Sequence, residues 1–170
     1  EILKGNQSSV YGSGAIGGTI NITTKRGQPG FQKDISYNTA SYGTHNLALS
    51  MSGADNKNDF YIGFERFITD GISAMDNNDE KDGYKNNTLV ANYGYKFTEE
   101  LKLENNLRIA SGYLQYDTLE DKNVLAEDSD EQKQTEFSGS AALVYKPNER
   151  FTNRLIYSSY AIDRIYNTYD

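Results

Sequence analysis

The chain has no cysteine and no tryptophan, two prolines and a single histidine in 170 residues. Without cysteine there is no disulfide framework and no thiolate metal site. With His45 alone, there is no second imidazole to complete a histidine-based zinc set. A Ser-His-Asp arrangement would have to use that one histidine, and no Gly-x-Ser-x-Gly elbow is present. No catalytic constellation emerges, and the chain is read as a non-enzyme. No run of 18 apolar residues occurs, which excludes a transmembrane helix. Basic residues are in the minority and the formal net charge is -7, which excludes a nucleic-acid partner that depends on clustered lysine and arginine. The mean hydropathy of -0.74 does not exclude a membrane. Barrel strands alternate apolar and polar residues, and the average hides the apolar face.

What the chain has in quantity is tyrosine, 14 residues, and a two-residue periodicity. Helical period is scarce, whereas alternation recurs in seven segments. In the segment at 59–69, Phe60, Ile62 and Phe64 oppose Tyr61, Gly63 and Glu65. At 85–97, Leu89, Ala91, Tyr93, Tyr95 and Phe97 share a face. At 101–115, Leu101, Leu103, Leu107, Ile109 and Tyr113 oppose Lys102, Glu104, Asn106, Arg108 and Gly112. Leu47, Leu49 and Met51 form another face, as do Phe137, Ala141, Leu143 and Tyr145. A weaker pattern covers 32–42, and at 151–163 apolar residues fall on both faces. Segments of about 9 to 15 residues exceed the usual soluble strand of about 5 or 6 and suit tilted membrane strands of roughly 9 to 11.

The connections alternate. Residues 55–58, 98–100 and 147–150 make short turns, whereas 70–84 and 117–133 make long polar loops. Short turns on one side and long loops on the other are the outer-membrane barrel pattern; a hairpin at Tyr42-Gly43-Thr44 is a short loop on the long side. A soluble β-rich binding module, adhesin or lectin-like, is the alternative, and it requires a closed apolar core. Seven strands fall short of the smallest barrels, which have eight, so the chain is expected to be a fragment of a longer protein.

Ahead of the strands lies a glycine-rich stretch. Gly12-Ser13-Gly14-Ala15-Ile16-Gly17 fits G-x-G-x-x-G. A dinucleotide site needs a strand before those glycines and a helix after them. The alternating Thr19-Ile20-Asn21-Ile22-Thr23-Thr24 that follows reads as strand, against that site. The order Glu1-Ile2-Leu3-Lys4-Gly5, Gln7-Ser8-Ser9-Val10-Tyr11-Gly12, Gly14-Ala15-Ile16-Gly17-Gly18 and Ile20-Asn21-Ile22-Thr23-Thr24-Lys25 resembles the last part of the plug of TonB-dependent outer-membrane receptors, with Asn6 where the family has proline.

The resemblance implies an all-β protein: residues 1–28 as the end of a plug, and 29–170 as the first strands, about seven, of an incomplete transmembrane antiparallel barrel. Gly5, Gly12, Gly14, Gly17 and Gly18 would be structural residues of the plug. It further implies location in the outer membrane of a Gram-negative bacterium and contact with outer-membrane lipid. Uptake would be of a scarce, bulky small-molecule nutrient: a corrinoid such as cobalamin, or else a ferric siderophore or haem. A TonB complex would be engaged through a segment upstream. No cofactor is required by that activity. The loops are acidic, with Asp76, Asp79, Glu80 and Asp82 in one and Asp117, Glu120, Asp121, Glu127, Asp128, Asp130 and Glu131 in the next; such a run reads first as a solvated acidic surface, and its oxygen donors also suit Ca²⁺. Glu80-Lys81-Asp82-Gly83-Tyr84 and Tyr116-Asp117 resemble the calcium-binding loop segments of the family's cobalamin receptors, with Glu80 where the family has aspartate. That likeness implies a Ca²⁺ shared by Glu80, Asp82 and Asp117.

Overall fold

A computed structural model describes residues 1–72, 81–116 and 130–167. The alternating segments form one antiparallel sheet of seven strands in chain order. They are β3 (Gly30–Ala40), β4 (Thr44–Ala54), β5 (Asn58–Thr69), β6 (Tyr84–Lys96), β7 (Leu101–Tyr116), β8 (Asp130–Asn148) and β9 (Phe151–Asn167). Before them, β1 (Ile2–Lys4) and β2 (Gly18–Ile20) pair as a small antiparallel ribbon around a single helical turn, α1 (Ser8–Tyr11). The Asn6 side chain accepts a hydrogen bond from the Ser8 amide at 2.9 Å, and Gly12 ends the turn at φ 88°.

The register converts each strand's alternation into rows that run across the sheet. Ile35, Leu49, Phe64, Leu89, Ile109, Phe137 and Ala161 lie directly opposite one another in succession. Nearer the short turns, Tyr95, Leu103, Leu143 and Leu155 form another such row on the same face. The opposite face is polar: Gln32, Ser52, Tyr61, Asn92, Asn106, Ser140 and Ser158 are one of its rows. A one-residue slip in any pair would exchange the two faces, so this contrast holds the register.

Among the described residues no second layer covers the apolar face. Leu49, Ile62, Ile109 and Leu143 remain 38–41 % exposed although they sit in the interior of the sheet, and among the described residues the only buried apolar side chains are those of Ala15, Ala110 and Ala142. The closed core demanded by a soluble sandwich is therefore missing among the described residues. On the outward face of β3 the Lys33 ammonium lies over the Phe31 ring, 5.1 Å from its centroid. The sheet is open, with β3 and β9 as its edges, and does not close into a barrel.

Several expectations need correction. The second long loop does not extend to residue 133, because β8 resumes at Asp130. There the Tyr113 hydroxyl donates to the Glu131 carboxylate and Lys133 pairs with it at 3.6 Å, so cross-strand polar contacts extend the ladder beyond the apolar rows. β3 to β6, at 11 to 13 residues, fall within the expected 9 to 15, whereas β7, β8 and β9 run longer, at 16, 19 and 17 residues. The face of β9, ambiguous by pattern, is settled by pairing: Leu155, Tyr157 and Ala161 sit opposite Leu143, Ala141 and Phe137. The strand read across 19–24 stops at Ile20. The G-x-G-x-x-G glycines are followed by β2, with the helical turn before them, which removes the dinucleotide arrangement. Two features match expectation closely. Tyr42 and Gly43 turn the first hairpin with positive φ of 60° and 62°. Asp55 closes the next turn by accepting from the Lys57 and Asn58 amides at 2.7 Å. Those bonds, Asn58 foremost, hold its carboxyl below the ordinary carboxylate range.

Candidate functional site

The polar face carries the site, and the segment at 21–29 is its centre. With no strand pairing over residues 21–28, this segment lies across the polar face and is fastened there at successive residues. The Thr24 hydroxyl reaches Asn106 Oδ1 at 3.3 Å. The Lys25 carbonyl accepts from Asn92 Nδ2 at 2.6 Å, and Asn92 is only 2 % exposed beneath it. Gly27 passes so close to β4 and β5 that a Cβ there would meet the Gly53 carbonyl and stand 2.6 Å from that of Phe60. Backbone cannot yield as a flexible side chain can, so only glycine allows this approach. Pro29 then bridges to Ala54 and leads into β3.

Arg26 is the strongest fastening. Its guanidinium spans two carboxylates on different strands, Asp59 on β5 at 3.3 Å and Glu104 on β7 at 3.4 Å. Lys102 contacts the same pair at 2.9 and 3.6 Å, and Arg154 on β9 reaches Glu104 at 2.6 Å. Three cations thus share two half-buried carboxylates. The planar fork of arginine suits the bridging role better than a lysine ammonium. Two clefts, about 430 and 780 Å³, flank the segment. The larger is walled by Ile22 and Thr24 on one side and by Asn92, Asn106, Ser138 and Ser140 on the other.

The glycines named from the sequence fall in the small ribbon. Gly5 and Gly12 take φ of 88°. Gly18, at φ 147°, needs its missing side chain most, since a Cβ would stand 2.6 Å from the Leu3 carbonyl across the β1–β2 pair. Gly14 and Gly17 have open space around the Cβ position and no positive φ.

Of the calcium candidates, Glu80 and Asp117 lie outside the described residues, and Asp82 sits at the base of the first long loop. The two loop bases adjoin: the Gln115 amide donates to the Gly83 carbonyl at 2.9 Å. Asp82 is therefore next to a residue paired with β7, and Asp117 follows two residues beyond Gln115. Among the described residues no group of three His, Cys, Asp or Glu side chains could hold a metal ion. Sequence reasoning missed the Arg26 cluster; Lys102 and Glu104 appeared there only as part of a polar face.

No protein-family profile matches the chain. It is similar to the vitamin B12 transporter BtuB of Photobacterium profundum, 33 % identical over 107 residues. That match covers 61 % of this chain and 18 % of the relative, so the shared region is a small part of the relative's length.

Proposed function

We propose that the chain forms part of the wall, and the end of the plug, of a TonB-dependent transporter in the outer membrane of a Gram-negative bacterium. The observation that carries this reading is the one-layer sheet with an open apolar face and a polar face on which the preceding segment is docked. Continuous exposed apolar surface of this size marks a membrane or partner contact in a soluble setting. No helix among the described residues is long and apolar enough to cross a membrane, which leaves crossing by strands open. On β7 the apolar residues run from Leu101 to Ile109, about 27 Å along the strand at ~3.4 Å per residue. At a tilt of about 40° that is about 20 Å of height, near the ~25 Å apolar band of outer-membrane barrels. The apolar stretch also shifts along the rows: β4 turns after Ala54, while β6, β7 and β8 continue with Tyr95, Leu103 and Leu143. An apolar band oblique to the ladder is what tilted strands require.

In this reading the polar face lines the lumen, and the docked segment joins plug to wall. The activity is transport without a catalytic step. The similarity to a vitamin B12 transporter supports a corrinoid as the cargo, with a ferric siderophore or haem as the second choice. Energy would come from a TonB complex acting on a segment upstream of Glu1. Glu80, Asp82 and Asp117 would hold a Ca²⁺ at the outer loops. Their hard oxygen donors and the adjoining loop bases fit such an ion, whose charge would tie the two loops together.

The test is uptake of labelled cobalamin by a Gram-negative strain whose own corrinoid receptor is deleted and which carries the intact protein. Uptake that vanishes when TonB is also deleted is expected. Failure of the intact protein to enter the outer membrane, or its purification as a monodisperse species in buffer without detergent, would overturn the reading.

A further inference from the structure

The outward face changes character at the long-loop end. Above the row of Phe64 and Leu89 come Arg66 and Asn87, directly opposite each other, and then Ile68 and Lys85. Arg66 and Lys85 are diagonal neighbours, about 7–8 Å apart by strand geometry. Both are exposed. The Lys85 ammonium sits over the Tyr113 ring at 5.5 Å, and Lys133 approaches the same ring at 5.9 Å. Glu131 and Asp163 lie on the same outward face, but the acids of this region engage other groups or, for Asp163, stand three strands from Asn87. Glu131 engages Lys133 at 3.6 Å, Asp70 engages Lys81 at 3.5 Å, and Asp163 stands opposite Thr135, on β9. Among the described residues no ion pair joins Arg66 or Lys85 to a carboxylate.

We infer that Arg66, Lys85 and Asn87 form a site on the outside of the wall for the phosphate of a lipid headgroup. The inference rests on the membrane reading above. Arg66 lies two residues beyond Phe64, and Lys85 four beyond Leu89. That is about 7 and 14 Å along the strand, or about 5 and 10 Å above the apolar band at a ~40° tilt. The headgroup layer is about 5–8 Å deep on each side. Arg66 therefore lies within that layer and Lys85 just beyond its outer edge, close enough for a long lysine side chain to reach back toward the phosphates. Guanidinium offers a paired N–H fork to two phosphate oxygens, the ammonium adds a point charge held in place by the Tyr113 ring, and the Asn87 amide supplies a further donor.

The intact protein in detergent, with EDTA present to remove metal bridges to the acidic loops, is titrated with diphosphorylated lipid A and followed by native mass spectrometry. Binding is expected, and the double variant Arg66→Gln/Lys85→Gln should weaken it about 25-fold, near fivefold per basic residue at a charged lipid surface. The charge-keeping Arg66→Lys/Lys85→Arg variant should retain most of it, and dephosphorylated lipid A should not bind at this site. Displacement by millimolar inorganic phosphate would assign the patch to a free anion and overturn the inference. Equal lipid A binding by wild type and the Gln variant, with both still migrating as heat-modifiable barrels, would overturn it while leaving the membrane reading intact. A protein that needs no detergent and shows no heat-modifiable band would instead remove the membrane reading itself.

Discussion

Replacing Arg26 by alanine should release the docked segment without unfolding the sheet. The magnitude follows from what remains behind. Arg26 and its two carboxylates are 27 % and 16 % exposed, between the surface and buried regimes. Exposed pairs contribute about 0–1 kcal/mol, while breaking a fully buried pair costs about 3–5 kcal/mol because a charge is stranded. Neither acid is stranded here, since Asp59 keeps Lys102 at 2.9 Å and Glu104 keeps Arg154 at 2.6 Å. The loss should then be about 1–2 kcal/mol, a factor of roughly 5–30 in the opening equilibrium. Asn92 is the reporter, because it is 2 % exposed beneath the Lys25 carbonyl. In an otherwise cysteine-free intact protein carrying Asn92→Cys, thiol labelling by a water-soluble maleimide reads the opening directly. Arg26→Ala should accelerate labelling about 5- to 30-fold. Arg26→Lys should fall between, keeping the charge but losing the two-carboxylate span. Labelling unchanged within twofold by Arg26→Ala would refute the fastening role.

Other expectations use the same framework. Gly27→Ala should undock the segment at least as fully as Arg26→Ala, because its Cβ meets two backbone carbonyls; the same labelling assay checks it, and an unaltered rate contradicts the close approach. Ile62→Lys, in the apolar rows of β5, should destabilise the detergent- or lipid-folded protein by about 2–4 kcal/mol, as for a lysine at the bilayer midplane; a change below about 0.5 kcal/mol in urea titrations from liposomes would place that face elsewhere. The Asp55 turn should loosen in acid: its carboxyl is held below the ordinary value by the Asn58 and Lys57 amides, so its contribution is full above the unfolded value near 3.8 and is lost as the pH falls through the lower folded value. An Asp55 carboxyl carbon that titrates by NMR at or above the ordinary value contradicts this. Calorimetry on the intact protein should show Ca²⁺ binding abolished by Asp82→Ala; no binding, or binding unaltered by the substitution, removes the calcium site.

The strands were legible because each needs only local information. Alternation in Phe60–Ile62–Phe64 and Leu103–Leu107–Ile109 fixes the faces, and the short turns at 55–57 and 149–150 fix the pairing of β4 with β5 and β8 with β9. Where local information fails, so does the reading. Asp130 to Lys133 are polar and look like loop, yet they extend β8 because cross-strand partners on β7 satisfy them. Ile156, Tyr160 and Ile162 on β9 carry apolar character onto the polar face, and only the register sorts them. The Arg26 cluster joins residues from the docked segment and three separate strands. No spacing rule links such positions; a solitary arginine after a β-branched run gives no sign of which acids it will meet.

The docked segment and the open sheet are two halves of one physical problem. A strand whose outward residues are apolar and inward residues polar needs an apolar environment on one side and a polar one on the other; in the proposed reading hydrocarbon supplies the first. The polar side is then free to hold a chain that makes no strand of its own, and it does so with side chains, Asn92, Asn106, Asp59 and Glu104, that a dry core would not tolerate. The edges complete the requirement. Along β3 and β9 every second residue turns its N–H and C=O away from the sheet, and in hydrocarbon each unpaired group costs several kcal/mol. A bilayer would therefore admit this sheet only with further strands pairing both edges, and such closure would turn the polar face into a lumen with a fastened occupant.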